Sequence, residues 1–364
     1  LVGTLLMRVL VAGWSMRSPA SSLHDAGYNV TAADAYGDAD LKIRGIPVIS
    51  FEEAWRQRAR YDVLLYGSNA EALVEAFPGI IRGNSVSTLR RLADVRVWFD
   101  FLDRVGIGFP RTWSSAAELP DNVEILEKNP SRHGGAGVRP WTGGKIPRGS
   151  ILQEKLDAQS FSASFFSSEG EITLLGVTEQ LGFDREISET LHVPGYAYCG
   201  NILLRDWDEN LLARLSSIAR CLTREYRLVG LNGIDFIMGE DCEPLLLEIN
   251  PRWCASFELY ERIPGFLPAV AQIEGQLPPV TALPVGAVGK AVLYAPDPGV
   301  HVPADSLKWL QDGMADIPMP GGIIKPQHPL CTVFAEADTR DECLKSLLAK
   351  AGMLYERLEK NHAC

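Results

Sequence analysis

Most of the sequence signatures of a specialised environment are missing from this chain, and each absence narrows what it can be. No apolar run reaches the length of a membrane helix. The start, Leu1 to Val11, lacks the basic segment of a secretory signal and reads as leader residues entering a buried strand. Basic residues are the minority, 35 Lys and Arg against 46 Asp and Glu. The net charge of −11 excludes the electrostatic footprint of a nucleic-acid binder and leaves no basic patch for a membrane surface. Seven cysteines stand at 199, 221, 242, 254, 331, 343 and 364 without a C-x-x-C pair, which argues against zinc and for reduced thiols in a cytoplasm. The six histidines are equally dispersed. No lysine lies in a biotin-attachment setting. What is present is a globular composition, 46% hydrophobic and 22% charged over 364 residues, enough for two or three units with their own cores.

The first part of the chain alternates strand and helix signals: Val9 to Ala12, a helix through Leu23, Tyr28 to Ala33, and Tyr61 to Ser68. This is a doubly wound α/β pattern. Gly13-Trp14-Ser15-Met16-Arg17-Ser18 lacks the glycines of a dinucleotide turn, so a nicotinamide cofactor is not expected. Ser15, Arg17 and Asp34, at strand ends, either line a pocket under the switch-point rule or cap helices and turns. A helix is expected over Val86 to Val105, closed by Gly106. Further on, the Gly-, Pro- and aromatic-rich loop Leu191 to Asn201 is a candidate acceptor-site lining, with His192 as a candidate base. After Pro278 a proline-rich stretch leads to strands at Gly289 to Tyr294, Gly321 to Ile324 and Leu330 to Ala335, and a helix from Thr339.

Three segments between these regions carry chemistry. Gly233 to Ile237 and Pro244 to Ile249 read as apolar strands joined by a turn over 239 to 243. Such a hairpin sets Asp235 beside Glu248, with Asn250 on the same face as Glu248. Two carboxylates and an amide suit a hard cation that takes its remaining oxygens from phosphate and water. Arg252 follows, a planar cation matched to phosphate geometry. Upstream, Lys128 ends an apolar strand and Ser131 to Val138 forms a flexible loop containing Gly134, Gly135, Ala136 and Gly137, the composition of a phosphate cover. The third segment, Ser150 to Asp157, is a strand whose end, around Glu154, Lys155 and Leu156, suits an adenine hinge, with Leu247 packing on the base.

Taken in order, these segments resemble the ATP-grasp superfamily over roughly residues 85 to 275. The resemblance implies an α/β and α+β architecture, an ATP-grasp fold behind a Rossmann-like N-terminal domain. Its units would be residues 1–94, 95–278 (lid about 110–156) and 279–364, the last completing the catalytic core. It implies ATP and Mg2+ (or Mn2+) as cofactors. Lys128 and the glycine-rich loop would meet the phosphates, Glu154, Lys155, Leu156 and Leu247 the adenine, and Asp235, Glu248 and Asn250 the metal. Arg252, with Lys128, would stabilise the transferring phosphoryl group. Two departures stand out. The acid that often binds ribose must here be Asp157 or be replaced by a neutral neighbour, and the helix before the lid offers only arginines, Arg90, Arg91 and Arg96, where a lysine is common. The order around Ala315 to Gly322 looks similar to the closing region of carboxylase-related members, including some found among genes of pterin- and furan-dependent one-carbon metabolism. The implied activity is a ligase joining a small-molecule carboxylate to an amine and releasing ADP and phosphate, for a cofactor of tetrahydromethanopterin or methanofuran type. A bicarbonate-activating carboxylase, a kinase of this fold and a non-catalytic nucleotide-binding protein are the alternatives. A homodimer is the default assembly.

Overall fold

The computed structural model describes residues 7–239, 241–278 and 286–362. Residues 1–6 of the expected leader, Glu240 of the expected turn, the proline-rich stretch at 279–285 and Cys364 lie outside these.

The first sheet has three parallel strands in the order β2-β1-β3: β1 (Arg8–Gly13), β2 (Asn29–Asp34) and β3 (Val63–Tyr66). Val9, Leu10, Val11 and Ala12 of β1 are fully buried because helices cover both faces of a parallel sheet. A four-stranded antiparallel sheet, β4-β7-β5-β6, follows: β4 (Thr112–Trp113), β5 (Ile125–Lys128), β6 (Val138–Pro140) and β7 (Ile151–Glu154). The central sheet is seven-stranded and antiparallel, in the order β12-β11-β8-β9-β10-β13-β16. Its members are β8 (Ser160–Ser168), β9 (Glu171–Gln180), β10 (Gly200–Leu204), β11 (Gly230–Met238), β12 (Pro244–Asn250), β13 (Ala287–Tyr294) and β16 (Pro329–Ala337). The short pair β14 (Val300–His301) and β15 (Ile323–Ile324) stands apart. The C-terminal strands β13 and β16 thus extend the central sheet, and the final helix, Arg340–His362, packs across them.

Local sequence accounts for most boundaries and for two departures. The expected helix from Val86 to Val105 is two helices, Val86–Ala93 and Val95–Val105. Asp94 breaks it: the residue adopts φ −83° and ψ 95°, and its carboxylate accepts the Arg96 N–H at 3.2 Å, a capping bond that an interior residue cannot make. The second helix ends at Gly106, left-handed at φ 68°. The expected strand at Gly321 to Ile324 shrinks to Ile323–Ile324 because Gly321, at φ 75°, belongs to a turn.

Two stitches hold the first sheet to the rest. Tyr66, ending β3, donates its hydroxyl to the carbonyls of Asn84 (3.0 Å) and Pro251 (3.1 Å), and its own carbonyl accepts the Trp253 N–H. Arg17, at the start of the helix Arg17–Asp25, is buried among Glu258 (2.5 Å), Asp316 (2.9 Å) and Asp40 (3.5 Å). All six cysteines among the described residues are free thiols. No described helix is long and apolar enough to cross a membrane.

Next to this network Glu261 is nearly enclosed, with Ser18 donating to Oε2 at 3.4 Å and Oε1 without a partner. Burial, then repulsion from Glu258, pushes it from 4.5 up to about 8. A carboxyl raised in this way binds its proton more tightly folded than unfolded, so the wild type loses stability as pH rises from about 4.5 through about 8. Glu261→Gln should match the wild type at pH 4 and exceed it by on the order of a few kcal/mol above pH 8 in denaturant titrations. A gap independent of pH would contradict this assignment.

Candidate functional site

The site grows from the β11–β12 hairpin. Gly233 pairs with Asn250, Ile234 with Ile249 and Asp235 with Glu248, after which the register shifts so that Phe236 faces Leu246 and Leu247 is the extra residue of a bulge. Ile234 and Phe236 point into the core, so Asp235, between them in the alternation, points the other way, into the cleft. The Asn250 amide donates to Asp235 Oδ2 (3.0 Å) and Glu248 Oε1 (3.1 Å), while its Oδ1 accepts Arg252 Nη2–H at 2.6 Å. The hairpin therefore brings Asp235, Glu248, Asn250 and Arg252 into one connected cluster.

Its electrostatics follow from the crowding of like charges. Burial, then the neighbouring Glu248 carboxylate, pushes Asp235 up to about 8. Glu248 faces the same burial, but hydrogen bonding to Asp235 and the positive charges of Arg252 and Lys128 hold it below its ordinary range. Glu248 is ringed by protein and yet reached by solvent, as expected at the floor of an open cleft. The donor set fits a magnesium-type cation: the oxygens are hard, the two carboxylates repel, and amide hydrogens already lie between them where positive charge is favoured. Among the described residues no cluster of three or more His, Cys, Asp or Glu suits a metal, so such an ion would need further oxygens from a bound phosphate or water.

Lys128, at the end of β5, approaches from the four-stranded sheet. Burial lowers its pKa, and the charges of Glu248 and Asp235 oppose that shift, so the ammonium faces the carboxylate pair. The Gln153 side chain on β7 fixes it, accepting from Nζ at 2.6 Å. The glycine-rich loop lies over this cluster. Gly134 and Gly135 adopt φ of 62° and 76°, and a Cβ on Gly135 would come within 1.7 Å of the Tyr196 carbonyl oxygen, so the loop can seat there only with glycine. The Gly134 carbonyl accepts the Tyr198 N–H at 3.0 Å. His133 bridges Glu71 (2.9 Å) and Arg252 (3.5 Å). Ala136 N–H turns back to the His133 carbonyl, whereas the N–H groups of Gly134, Gly135 and Gly137 have no acceptor among the described residues. Three N–H groups without an acceptor in one short loop are the donors that a nest for anionic oxygen requires.

Other expectations meet a different arrangement. The strand at Ile151 ends at Glu154, and the Glu154 carboxylate, expected at the adenine edge, is gripped by Arg111 Nε (2.8 Å) and Nη2 (2.7 Å). The Lys155 N–H is also spent, on the Glu124 carbonyl, and its ammonium meets the Glu124 carboxylate. Leu156 is half-buried and Asp157 exposed. Asp34 accepts from the N–H groups of Met16 (2.6 Å), Tyr36 and Gly37, the turn-capping option of the two the sequence left open. Arg17 is locked in the domain junction and Ser15 is exposed. His192, the candidate base, stacks edge-on against Tyr355 of the C-terminal helix, ring centroids 4.8 Å apart, and takes no part in the cluster. Glu71 carried no sequence signal, and Gln153 and Tyr198 were noted only as members of the hinge strand and the aromatic-rich loop, since their importance lies in partners far along the chain.

Comparison with known proteins agrees with this geometry. A family described as an ATP-grasp domain matches residues 93–256. No curated protein sequence matches the chain. Among solved structures it is similar to pyruvate carboxylase from Rhizobium etli (TM-score 0.71, 15% identity, 95% of this chain and only 37% of the other). It is also similar to the biotin carboxylase domain of 2-oxoglutarate carboxylase from Hydrogenobacter thermophilus, solved with MgADP, ADP and bicarbonate (0.70, 14%, 93% and 88%). A third is L-amino acid ligase from Bacillus licheniformis (0.71, 13%, 95% and 97%). At these identities the likeness is one of fold. Residues 93–256 thus match an ATP-grasp domain set behind a parallel-sheet domain, and the chain shares the fold of these structures.

Proposed function

We propose that this protein is an ATP-dependent ligase that joins a small-molecule carboxylate to an amine through an acyl phosphate. The observation that carries the reading is the convergence of two repelling carboxylates, Asp235 and Glu248, with Asn250, Arg252, Lys128 and three free glycine N–H groups in one cleft. That is a divalent-cation site beside a phosphate site, built in the cleft between two sheets. The resemblance of the C-terminal sequence extends the proposal to a cofactor-building ligase of one-carbon metabolism.

In this reading Asp235 and Glu248 would hold Mg2+ (or Mn2+), joined by Asn250 through Oδ1 once its amide turns over, and the ion would neutralise phosphate charge. Lys128, held by Gln153, and the N–H groups of Gly134, Gly135 and Gly137 bind the phosphate chain. Arg252 is fixed by Asn250 and His133, so its guanidinium is oriented before reaction toward the equatorial oxygens of the transferring group. An oxygen of the substrate carboxylate attacks the γ-phosphorus as the bond to the β,γ-bridging oxygen breaks and ADP leaves. The amine then attacks the acyl carbon, loses a proton, and phosphate departs. The hinge contacts differ from expectation: with Glu154 neutralised by Arg111, Leu156 and Leu247 are left as the adenine contacts.

Glu248→Ala and Asn250→Ala should each lower metal-dependent ATP turnover by roughly a hundredfold or more while circular dichroism stays unchanged; wild-type turnover in either would remove the metal assignment. Gly135→Ala should raise KM for ATP and speed proteolysis within 131–137, because the added methyl prevents the loop from seating; an unchanged KM would show that loop seating plays no part. The reaction itself is tested by measuring ADP and free phosphate from MgATP across pools of carboxylates and amines, with and without bicarbonate. Matched ADP and phosphate only with a carboxylate and an amine together is the expected result. Bicarbonate dependence would instead mark a carboxylase, ADP without phosphate a kinase, and ATP binding without turnover in any pool would contradict the ligase.

A further inference from the structure

Behind the carboxylate pair, where the end of β2 meets the C-terminal region, acidic residues outnumber the cations that answer them. Asp34, Asp38, Asp40, Asp316 and Glu258 crowd around two cations among the described residues, Arg17 and Lys290. Four of the five are satisfied by the protein. Asp34 takes three backbone N–H groups; Asp40 those of Asp316 and Ile317; Asp316 binds Arg17 and the Thr332 hydroxyl; Glu258 binds Arg17 and Lys290 (2.6 Å).

Asp38 is the exception. It stands at the N-cap of the short helix Ala39–Ile43 but makes no capping bond, giving up a contact that stabilises a helix by about 1 kcal/mol. Its carboxylate is turned inward instead, with the residue only 6% exposed, and Oδ2 is buried without any hydrogen-bond partner. Neither Asp38 oxygen accepts a hydrogen bond from a described residue, and the repulsion of the Asp316, Asp34 and Asp40 carboxylates is opposed only by the charge of Arg17, which makes no ion pair with it. Burying such a group unpaired is costly: burial raises its pKa well above the ordinary carboxylate range, and a proton or a cationic partner from outside relieves the cost. A metal ion would find no described set of three or more acidic, His or Cys ligands here and would have to complete its shell with water. A primary ammonium, compact and carrying three donors, matches both the charge and the unfilled acceptors.

Electrostatic neighbours link Asp38 to the reacting centre through three tyrosines. Tyr36, 45% exposed, lies beside Asp38, Asp34 and Asp316 and near Tyr294. Tyr294 donates to the Tyr198 carbonyl at 2.6 Å, and Tyr198, whose own buried hydroxyl has no partner, has Glu258 and Asp235 as electrostatic neighbours. We propose that Asp38 and the acidic hollow around it form the subsite that binds the positively charged amino group of the amine substrate, with Tyr36 at its mouth. The inference rests on the ligase reading for the word substrate, but the cation site itself does not.

The test uses the full-length protein and Asp38→Asn, an isosteric change. Both are titrated calorimetrically at neutral pH with 1,4-diaminobutane, with 1-butanol as the neutral control, with Mg2+ alone, and with MgATP. Saturable diamine binding to the wild type, none of butanol, and a loss of about tenfold or more in Asp38→Asn with MgATP affinity unchanged is the expected pattern. Unliganded Asp38→Asn should also melt higher, by about 2 °C or more, since the charge it removes has no partner. Equal diamine affinity in the two proteins, no saturable binding to the wild type, or a site filled by Mg2+ in place of diamine would overturn the inference. Failure of MgATP to bind while diamine binding still depends on Asp38 would sink the ligase reading and leave the cation site standing. Normal MgATP binding with diamine affinity indifferent to Asp38 would sink the site alone.

Discussion

Two carboxylates held face to face on adjacent strands are an electrostatic liability, and much of this structure is arranged around the Asp235–Glu248 pair. Left to themselves the two would repel and the hairpin would splay. Instead the register pins them opposite each other, a bulge at Leu247 absorbs the mismatch beyond them, and the Asn250 amide bridges both. Positive charge then approaches from two sides, Arg252 along the same chain and Lys128 from the four-stranded sheet. Neither is close enough to quench the pair, and Asp235 stays well above an ordinary aspartate. A site left in this state favours a small, highly charged cation more than any single side chain can.

The same logic organises the junction of the domains. Arg17 and Tyr66 fasten the parallel sheet to the segment that follows the hairpin, Tyr66 through backbone carbonyls and Arg17 through buried carboxylates. Arg252 lies between the residues that Tyr66 holds, Pro251 and Trp253, so the position of this arginine depends on the N-terminal domain. Buried ion pairs add little net stability but fix geometry, and breaking one partner leaves the other stranded. Here they fix the height of the N-terminal domain above the cleft.

How much of this was legible depended on how local the interaction is. The hairpin could be read from alternation and the short turn, because the two ligand strands are neighbours in sequence and register follows from the pattern. The parallel N-terminal sheet was legible for a similar reason, its strands being short apolar runs between helices. The break at Asp94 was missed because an aspartate inside an amphipathic stretch reads equally well as a surface residue. Glu154 shows the limit differently: an acid at a strand end suits a ligand, but its partner Arg111 lies 43 positions earlier, just before a strand whose pairing no spacing reveals. The acidic hollow gathers residues from positions 34 to 316, so only the folded chain exposes the imbalance at Asp38.

The central claim is that Asp235, Glu248 and Asn250 bind a divalent cation jointly with nucleotide phosphate, and the most direct measurement is the binding of Mn2+, followed by electron paramagnetic resonance, with and without ATP. The account predicts weak Mn2+ binding to the protein alone, tighter binding in the ternary complex than to ATP or protein separately, and loss of that gain in Glu248→Ala. Mn2+ binding that ignores ATP, or a ternary gain that survives Glu248→Ala, would contradict it.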